Sequence, residues 1–173
     1  MYKELKDTIA EMTAPGQMFE LTEVDVAGQS LKAWSMAAGS LREMWLNSAG
    51  YGDADYLVYQ DERWTYAQAH AQVASIANWL VANGIGQHDR VAIAMRNYPE
   101  WMLAYWAVVS MGAVPVGVNA WWVAEELKYG LKDSETKLLI CDRERLERFN
   151  EIRDEFPDLP VVTVRVDEVP AWA

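Results

Sequence analysis

The sequence predicts an α/β protein in which a parallel β-sheet is covered by helices on both faces, preceded by an N-terminal arm of helix and hairpin. From residue 56 onward, short aliphatic runs alternate with amphipathic stretches, the pattern of parallel strands joined by crossover helices. These runs are mainly apolar, as expected of strands buried on both faces. Residues 1–55 lack this alternation, so we expect an arm over 1–55 and the α/β domain over 56–173.

The arm is predicted to contain a helix, a two-stranded hairpin and a short second helix, over residues 2–12, 19–34 and 41–49. Ala27 and Gly28 supply the turn of the hairpin. Ser40 and Glu43 have the spacing of a capping box, in which hydroxyl and carboxylate each accept a free backbone N–H. Gly50 follows as a helix terminator.

The domain opens with a predicted hairpin and a capped helix. Thr65 and Gln68 form a second capping box, and the helix that they open carries an apolar stripe from Tyr66 to Leu80 before Asn83-Gly84 ends it. Parallel strands are then predicted over residues 90–95, 114–118, 137–141 and 161–166, with helices over 99–111, 124–132 and 143–156. On the last helix, charged residues surround a narrow apolar face, which indicates a solvated surface.

Composition excludes several classes of protein. The net charge of −11 and the pI near 4.6 argue against nucleic-acid binding, which requires a basic surface. A single cysteine, Cys141, excludes an internal disulfide and favours a reducing, cytoplasmic location. The 24 uncharged residues from 101 to 124 are long enough to span a bilayer, but Gly112, Pro115 and Gly117 interrupt them, so we predict no transmembrane segment. Nine tryptophans are unusual and must be buried or presented to a partner.

The residues that follow three of the predicted parallel strands are the natural place to look for a ligand site: Arg96-Asn97, Asn119-Ala120 and Asp142-Arg143. Neither glycine motif fits a phosphate-binding template. Gly84-Ile85-Gly86 precedes a strand and lacks the third glycine of a dinucleotide fingerprint. The segment from Gly112 to Gly117 has P-loop spacing, but Val118-Asn119 stand where the lysine and hydroxyl residue belong.

Titratable residues give no clearer signal. His70 and His88 are interpreted as solvent-side imidazoles, and Glu125-Glu126 as acids favoured by the dipole of a helix N-terminus. No run combines His, Cys and carboxylate at metal-ligand spacing. From the residues alone, the sequence predicts no catalytic, cofactor-binding or metal-binding residue.

A run of landmarks between residues 63 and 142 resembles a known family. The landmarks are Arg63-Trp64-Thr65-Tyr66, Asn83-Gly84-Ile85-Gly86, Asp89-Arg90-Val91-Ala92-Ile93, Asn97-Tyr98-Pro99-Glu100, Gly112-Ala113-Val114-Pro115-Val116 and Glu125-Glu126-Leu127. In this order they resemble the N-terminal part of the AMP-forming acyl-CoA synthetases, which belong to the adenylate-forming superfamily, and Trp34, Leu41-Arg42 and Trp45 are similar to the fatty-acid branch.

The resemblance implies a Rossmann-like fold and, for the intact enzyme, a fatty-acid or related carboxylate–CoA ligase that uses ATP, Mg²⁺ and CoA. The family's phosphate loop, ribose-binding acid and C-terminal lysine have no counterpart in residues 1–173. The resemblance therefore implies an N-terminal fragment that is inactive alone, binds none of these cofactors and has the remaining polypeptide as its partner.

An interaction or dimerisation module derived from this fold is the alternative, with Trp34, Trp45, Trp121 and Trp122 at an interface. We also hypothesise a homodimer formed through the first 50 residues or through an exposed face of the domain.

Overall fold

The computed structural model describes residues 2–173. It divides the chain into two compact units, one ending at Ser40 and the other spanning Leu41–Ala173. Each unit contains both helix and paired strands.

The first unit consists of helix α1 (Tyr2–Met12) and a hairpin of strands β1 (Leu21–Val26) and β2 (Gln29–Trp34). The two strands pair antiparallel, with Val26 opposite Gln29. Ala27 and Gly28 form the two-residue turn with φ of 52° and 81°. Positive φ at both central residues is the geometry whose twist matches a two-residue hairpin. The predicted helix and hairpin are therefore confirmed.

The second unit contains a hairpin and a parallel sheet with its helices. Its elements are α2 (Leu41–Asn47), β3 (Asp55–Tyr59), β4 (Glu62–Thr65), α3 (Tyr66–Ala82), β5 (Arg90–Ala94), α4 (Pro99–Ser110), β6 (Val114–Gly117), α5 (Ala124–Asp133), β7 (Leu138–Asp142), α6 (Arg143–Asn150) and β8 (Val161–Val164). Strands β3 and β4 pair antiparallel, and the other four form a parallel sheet in the order β6-β5-β7-β8. The predicted α/β fold with a parallel sheet is confirmed.

Two apolar cores lie on opposite faces of this sheet because side chains alternate along each strand. Val91 and Ile93 of β5 join the core formed with α3 and α4. Ala92 and Ala94 of the same strand join the core formed with α5 and α6. All four residues are fully buried, so β5 is covered on both faces and the unit has three layers.

The boundary between the units differs from the prediction, which placed residues up to 55 in the arm. Helix α2 belongs to the second unit because Trp45 is buried in its core, stacked on Trp106 with ring centroids 5.1 Å apart. The helix is also shorter than predicted, since a 3₁₀ turn, Ser48–Tyr51, follows it directly.

The last predicted helix, over residues 143–156, is only partly confirmed. Helix α6 ends at Asn150, and a 3₁₀ turn, Arg153–Glu155, follows it. Ile152 leaves the helical range with φ of −118°. The Arg153 guanidinium donates to the carbonyls of Phe156 and Pro157, which holds the chain in its new direction.

Local signals in the sequence explain where α3 begins and ends. The Gln68 amide donates to Thr65 Oγ1 at 3.2 Å, and the Thr65 amide donates to Gln68 Oε1 at 2.9 Å, so the predicted capping box is present. Gly84 follows the helix with φ of 82°, a conformation that glycine adopts without steric cost.

The uncharged stretch over residues 101–124 is divided between α4 and β6, as predicted. Within residues 2–173, every helix falls short of the length and hydropathy required to cross a bilayer.

Candidate functional site

The carboxyl ends of the parallel strands form the candidate site. From β5 the chain passes through α4 to β6 on one side, and then through α5 to β7 on the other side of β5. The connections therefore diverge between β5 and β7, which is where doubly wound sheets bind their ligands. The structure brings Arg96, Ala120 and Asp142 to this edge, as the sequence predicted.

A buried ion pair occupies the point of divergence. Asp142 and Arg145 are 3% and 2% exposed, and Arg145 Nη1 lies 2.9 Å from Asp142 Oδ2. The same carboxylate accepts the Arg96 backbone N–H at 2.9 Å, and its other oxygen caps α6 by accepting the Arg145 N–H at 3.2 Å. The charges therefore compensate each other and tie the loop after β5 to the start of α6.

The loop after β6 is held by the same network. Ala120 O accepts from Arg145 Nε at 2.9 Å and Nη2 at 2.6 Å, and from Arg148 Nη1 at 2.8 Å. Arg148 Nη1 also donates to Trp122 O at 2.8 Å. Two guanidinium groups of α6 thus fix the main chain at residues 120–122, and three strand ends become one rigid edge.

A shallow cavity of about 510 Å³ opens beside this network, between the loops after β5 and β6. Its polar lining comes from Arg96, Asn97 and Asn119, all exposed. The Arg96 guanidinium lies 4.6 Å from the ring centroid of Trp121, which is 70% exposed. The cavity therefore presents one cation, two amides and an aromatic face, which can bind and orient a group but supply no nucleophile or general base.

Not every predicted position takes part. Arg143 pairs with Asp167, which follows β8, and does not line this cavity. Conversely, Arg145 and Arg148 lie on the helix whose charged residues the sequence assigned to a solvated face, and that interpretation is wrong for Arg145. The i, i+3 spacing of Asp142 and Arg145 at a helix start is the signal that could have revealed the pair.

His70 is half-buried rather than on the solvent side. Its ring stacks on Trp45 with centroids 3.9 Å apart, and Nε2 lies 3.0 Å from Ser48 Oγ. The serine hydroxyl donates to Trp45 O at 2.6 Å, so its proton is committed to a carbonyl and the pair is not an activated nucleophile. Burial lowers the pKa of His70 below its ordinary value.

The other titratable residues singled out from the sequence are exposed or make contacts that stabilise a helix. His88 is exposed. Glu126 accepts the Val123 backbone N–H at the start of α5, and Glu125 pairs with Lys128, in agreement with the prediction for these acids.

Cys141 is fully buried, and desolvation, with a smaller contribution from the Asp142 charge, raises the pKa of its thiol to about 12. Within residues 2–173, no three His, Cys, Asp or Glu side chains are placed to hold a metal ion.

Fold and site together define a class of protein, a doubly wound α/β domain. Its carboxyl edge is held in place by hydrogen bonds and an ion pair, and among the described residues it carries no nucleophile or general base. Comparisons with known proteins identify its family. The family model described as "AMP-binding enzyme" matches residues 44–172, most of the second unit. The chain therefore belongs to the AMP-binding enzyme family, and its resemblance to the N-terminal part of AMP-forming acyl-CoA synthetases is confirmed.

Curated relatives are CoA ligases. The chain is 34% identical over 124 residues to a 3-hydroxybenzoate/4-hydroxybenzoate–CoA ligase of Thauera aromatica, an alignment covering 72% of this chain and 24% of the relative. It is 30% identical over 122 residues to a crotonobetaine/carnitine–CoA ligase of Salmonella typhimurium strain LT2, covering 67% and 24%. The chain thus spans about a quarter of the length of these relatives.

Solved structures share the fold. The N-terminal domain of FACL13 from Mycobacterium tuberculosis, in an inhibitor-bound form, matches with a TM-score of 0.68 and 28% identity, over 72% of this chain and 33% of that one. The anthranilate CoA ligase AuaEII matches with a TM-score of 0.72 over 77% of this chain and 26% of that one. At 22% identity, the second likeness shows the fold alone.

Proposed function

We propose that this chain is the N-terminal α/β part of a carboxylate–CoA ligase that acts on a fatty acid or a related carboxylate. In the intact protein the carboxylate attacks the α-phosphorus of ATP, giving acyl-AMP and pyrophosphate. The CoA thiol then takes the acyl group and AMP leaves. The family match over residues 44–172 is the observation that carries this proposal, and the CoA ligases among the relatives support it.

The chain's own residues act as a scaffold in this proposal. No three His, Cys, Asp or Glu side chains within residues 2–173 are placed to hold a metal ion, and Gly84 and Gly112, which begin the two glycine motifs, follow the ends of α3 and α4. We therefore propose that ATP, CoA and Mg²⁺ bind at a site that is not built from the described residues alone. We assign the catalytic groups to further polypeptide, and this chain alone is inactive and binds none of the three. With its buried single cysteine, the protein is proposed to work in the cytoplasm.

A stand-alone interaction or dimerisation module is the second candidate function. Large apolar side chains at the surface favour it, including Trp34 at 59% and Trp121 at 70% exposure. The two candidates predict different coding sequences downstream of the codon for Ala173. A continuing reading frame that encodes a phosphate loop supports the ligase, whereas a stop codon directly after Ala173 supports the module.

The activity test is ATP–pyrophosphate exchange with a panel of fatty acids, hydroxybenzoates and carnitine-type acids. We expect the 173-residue chain to give no exchange above a control without protein, and the product of the continuous reading frame to exchange with at least one acid. The acid that supports the fastest exchange identifies the substrate class. Exchange by the 173-residue chain itself would contradict the scaffold role.

A further inference from the structure

The β1–β2 hairpin of the first unit is too small to be stable on its two strands alone, since an isolated hairpin is marginal in water. All but one of its strand residues are exposed, and none is buried. Val24, Val26 and Leu31 share one face and are 36%, 51% and 48% exposed. The hairpin therefore displays an apolar surface together with two strand edges.

The register decides which backbone groups point outward. Because Val26 and Gln29 flank a two-residue turn, they form a hydrogen-bonded pair, and such pairs alternate along the ladder. The Ser35 amide donates to Glu20 O at 2.8 Å, which fits this alternation. On β2 the outward-facing positions are therefore Ser30, Lys32 and Trp34.

The edge of β1 is unsuitable for pairing with another strand. Its first outward-facing amide, that of Leu21, donates to Thr13 O at 3.4 Å, so the chain's own preceding loop covers this end. Its other outward positions are Glu23 and Asp25. If β1 of one copy paired with β1 of a second copy near the middle of the strand, carboxylates would lie opposite each other, which is destabilising.

The edge of β2 has the opposite character. Within residues 2–173, the backbone groups of Ser30 and Lys32 have no backbone hydrogen-bond partner outside the hairpin, and both residues are exposed. The strand contains one cation and no acid, and Lys32 lies directly opposite Glu23 within the hairpin. This edge can accept another strand without bringing carboxylates together.

We propose that β2 pairs antiparallel with β2 of a second copy of this chain, about a two-fold axis at Leu31, to form a four-stranded sheet. When β2 pairs with β2, both copies use the same edge, so assembly stops at the dimer. When β1 of one copy pairs with β2 of another, one edge of each type stays free and further copies can add without limit. A residue whose backbone groups point outward must lie opposite such a residue of the second copy, because only these groups can form hydrogen bonds between the copies. Two registers near the centre of the strand meet this condition. One places Lys32 opposite Lys32, and the other places Leu31 opposite Leu31 and Ser30 opposite Lys32.

The second register avoids the like-charge contact and joins the apolar faces of both hairpins. Leu31 lies at the centre of the resulting surface, with Val24 of each copy one strand further out. The net charge of −11 on each chain opposes association at long range, so added salt strengthens the dimer. This assembly does not depend on the proposed ligase function.

Cysteine cross-linking tests the register in the full chain. Residues directly opposite across a strand pair have Cβ atoms about 5 Å apart. Oxidised Leu31→Cys is therefore expected to give a covalent dimer. Val24→Cys, on the same face, is the matched control, because two Val24 positions lie about 14 Å apart across a four-stranded sheet, beyond disulfide reach. Because Cys141 is buried, we expect the unsubstituted chain to run as a monomer on a non-reducing gel.

Sedimentation equilibrium tests the edge without cysteine. Lys32→Pro removes an outward-facing N–H from β2, and Glu23→Pro removes the equivalent group from β1, directly opposite. We expect the first variant to raise the dimer dissociation constant about tenfold or more, since each copy loses a hydrogen bond, and the second to leave it nearly unchanged. A monomeric parent chain at micromolar concentration, equal yields from Leu31→Cys and Val24→Cys, or a preference for Lys32→Cys would overturn the proposal.

Discussion

The two hairpins of this protein begin from similar local chemistry and end in different surroundings. Both β1–β2 and β3–β4 turn through two residues, and a residue with positive φ, Ala27 or Gln60, opens each turn. The first hairpin buries none of its residues. In the second, Leu57 and Trp64 pack against the core of the second unit. A two-residue turn thus joins the strands of both hairpins, but only the second hairpin is also packed against an apolar core.

An arginine fastens the second hairpin to the sheet. Arg165 donates to Glu62 of β4 at 2.8 Å and to Glu100 of α4 at 3.0 Å. Its guanidinium lies 5.2 Å and 4.9 Å from the ring centroids of Tyr59 and Tyr98. The first hairpin has no comparable clamp among the described contacts. Stability measurements should therefore separate the two units.

The largest effect is expected from Asp142→Ala. The substitution removes the buried counter-charge of Arg145 and leaves beside it only the exposed carboxylate of Glu144, 2.9 Å from Nη1, which should cost about 3–5 kcal/mol of the free energy of unfolding. Urea unfolding followed by tryptophan fluorescence reports on the second unit, because eight of the nine tryptophans lie after residue 40.

Arg143→Ala is the matched control for this measurement, since its pair with Asp167 is exposed and should contribute at most about 1 kcal/mol. Equal losses for the two variants would show that the buried network does not hold the edge together.

A core truncation compares the two units directly. Leu139→Ala removes a fully buried side chain from β7 and should cost about 2–5 kcal/mol. Leu5→Ala makes the same change on α1, where the side chain is 55% exposed, and should change stability by less than about 0.5 kcal/mol. Circular dichroism during urea unfolding measures both. A comparable loss at Leu5 would mean that the first unit has a core of its own in solution.

The smallest effect is a pH dependence confined to the second unit. Above a pH of about 6.5, His70 is neutral in both the folded and unfolded chain. On acidification the unfolded chain binds the proton first, because burial lowers the pKa of His70 in the folded protein. The contribution of His70 to the free energy of unfolding should therefore decrease below a pH of about 6.5 and become constant below the lowered pKa.

His70→Gln keeps a hydrogen-bonding group near Ser48 without a charge and should weaken this dependence. His88→Gln, on the exposed histidine, should preserve it. Thermal unfolding of the three proteins at a series of pH values makes the comparison, and an unchanged profile for His70→Gln would refute the assignment.

The sequence allowed much of the fold to be predicted because most of its signals are local. The four parallel strands were placed within one or two residues, since aliphatic runs between helix caps leave little freedom of assignment. The helix start at Tyr66 follows from the Thr65–Gln68 capping box, which is complete within four residues. The domain boundary was harder to predict, because α2 is attached to the second unit by tertiary contacts, among them the stacking of Trp45 on Trp106 and His70.

The position of the candidate site could be predicted from the sequence, but the contacts made within it could not. The carboxyl edge follows from the assignment of the parallel strands, and the structure places Arg96, Ala120 and Asp142 there. The burial of Arg145 could not be deduced, since a guanidinium on a charged helix normally stays in water. The burial of Arg145 depends on a hydrogen bond to Ala120 O, which is 25 residues away in the chain and comes near only in the folded structure. No local pattern encodes that contact.

The locked carboxyl edge has a kinetic consequence. Asp142, Arg145 and Arg148 fix the loops after three strands during folding, so whatever docks at this edge meets a surface already in its final shape. Because these loops are already ordered before a partner arrives, the entropy lost in ordering them does not weaken the free energy of association. Association should therefore proceed in a single step without a slow rearrangement of these loops, and substitutions at the rim should act mainly on how long the docked state persists.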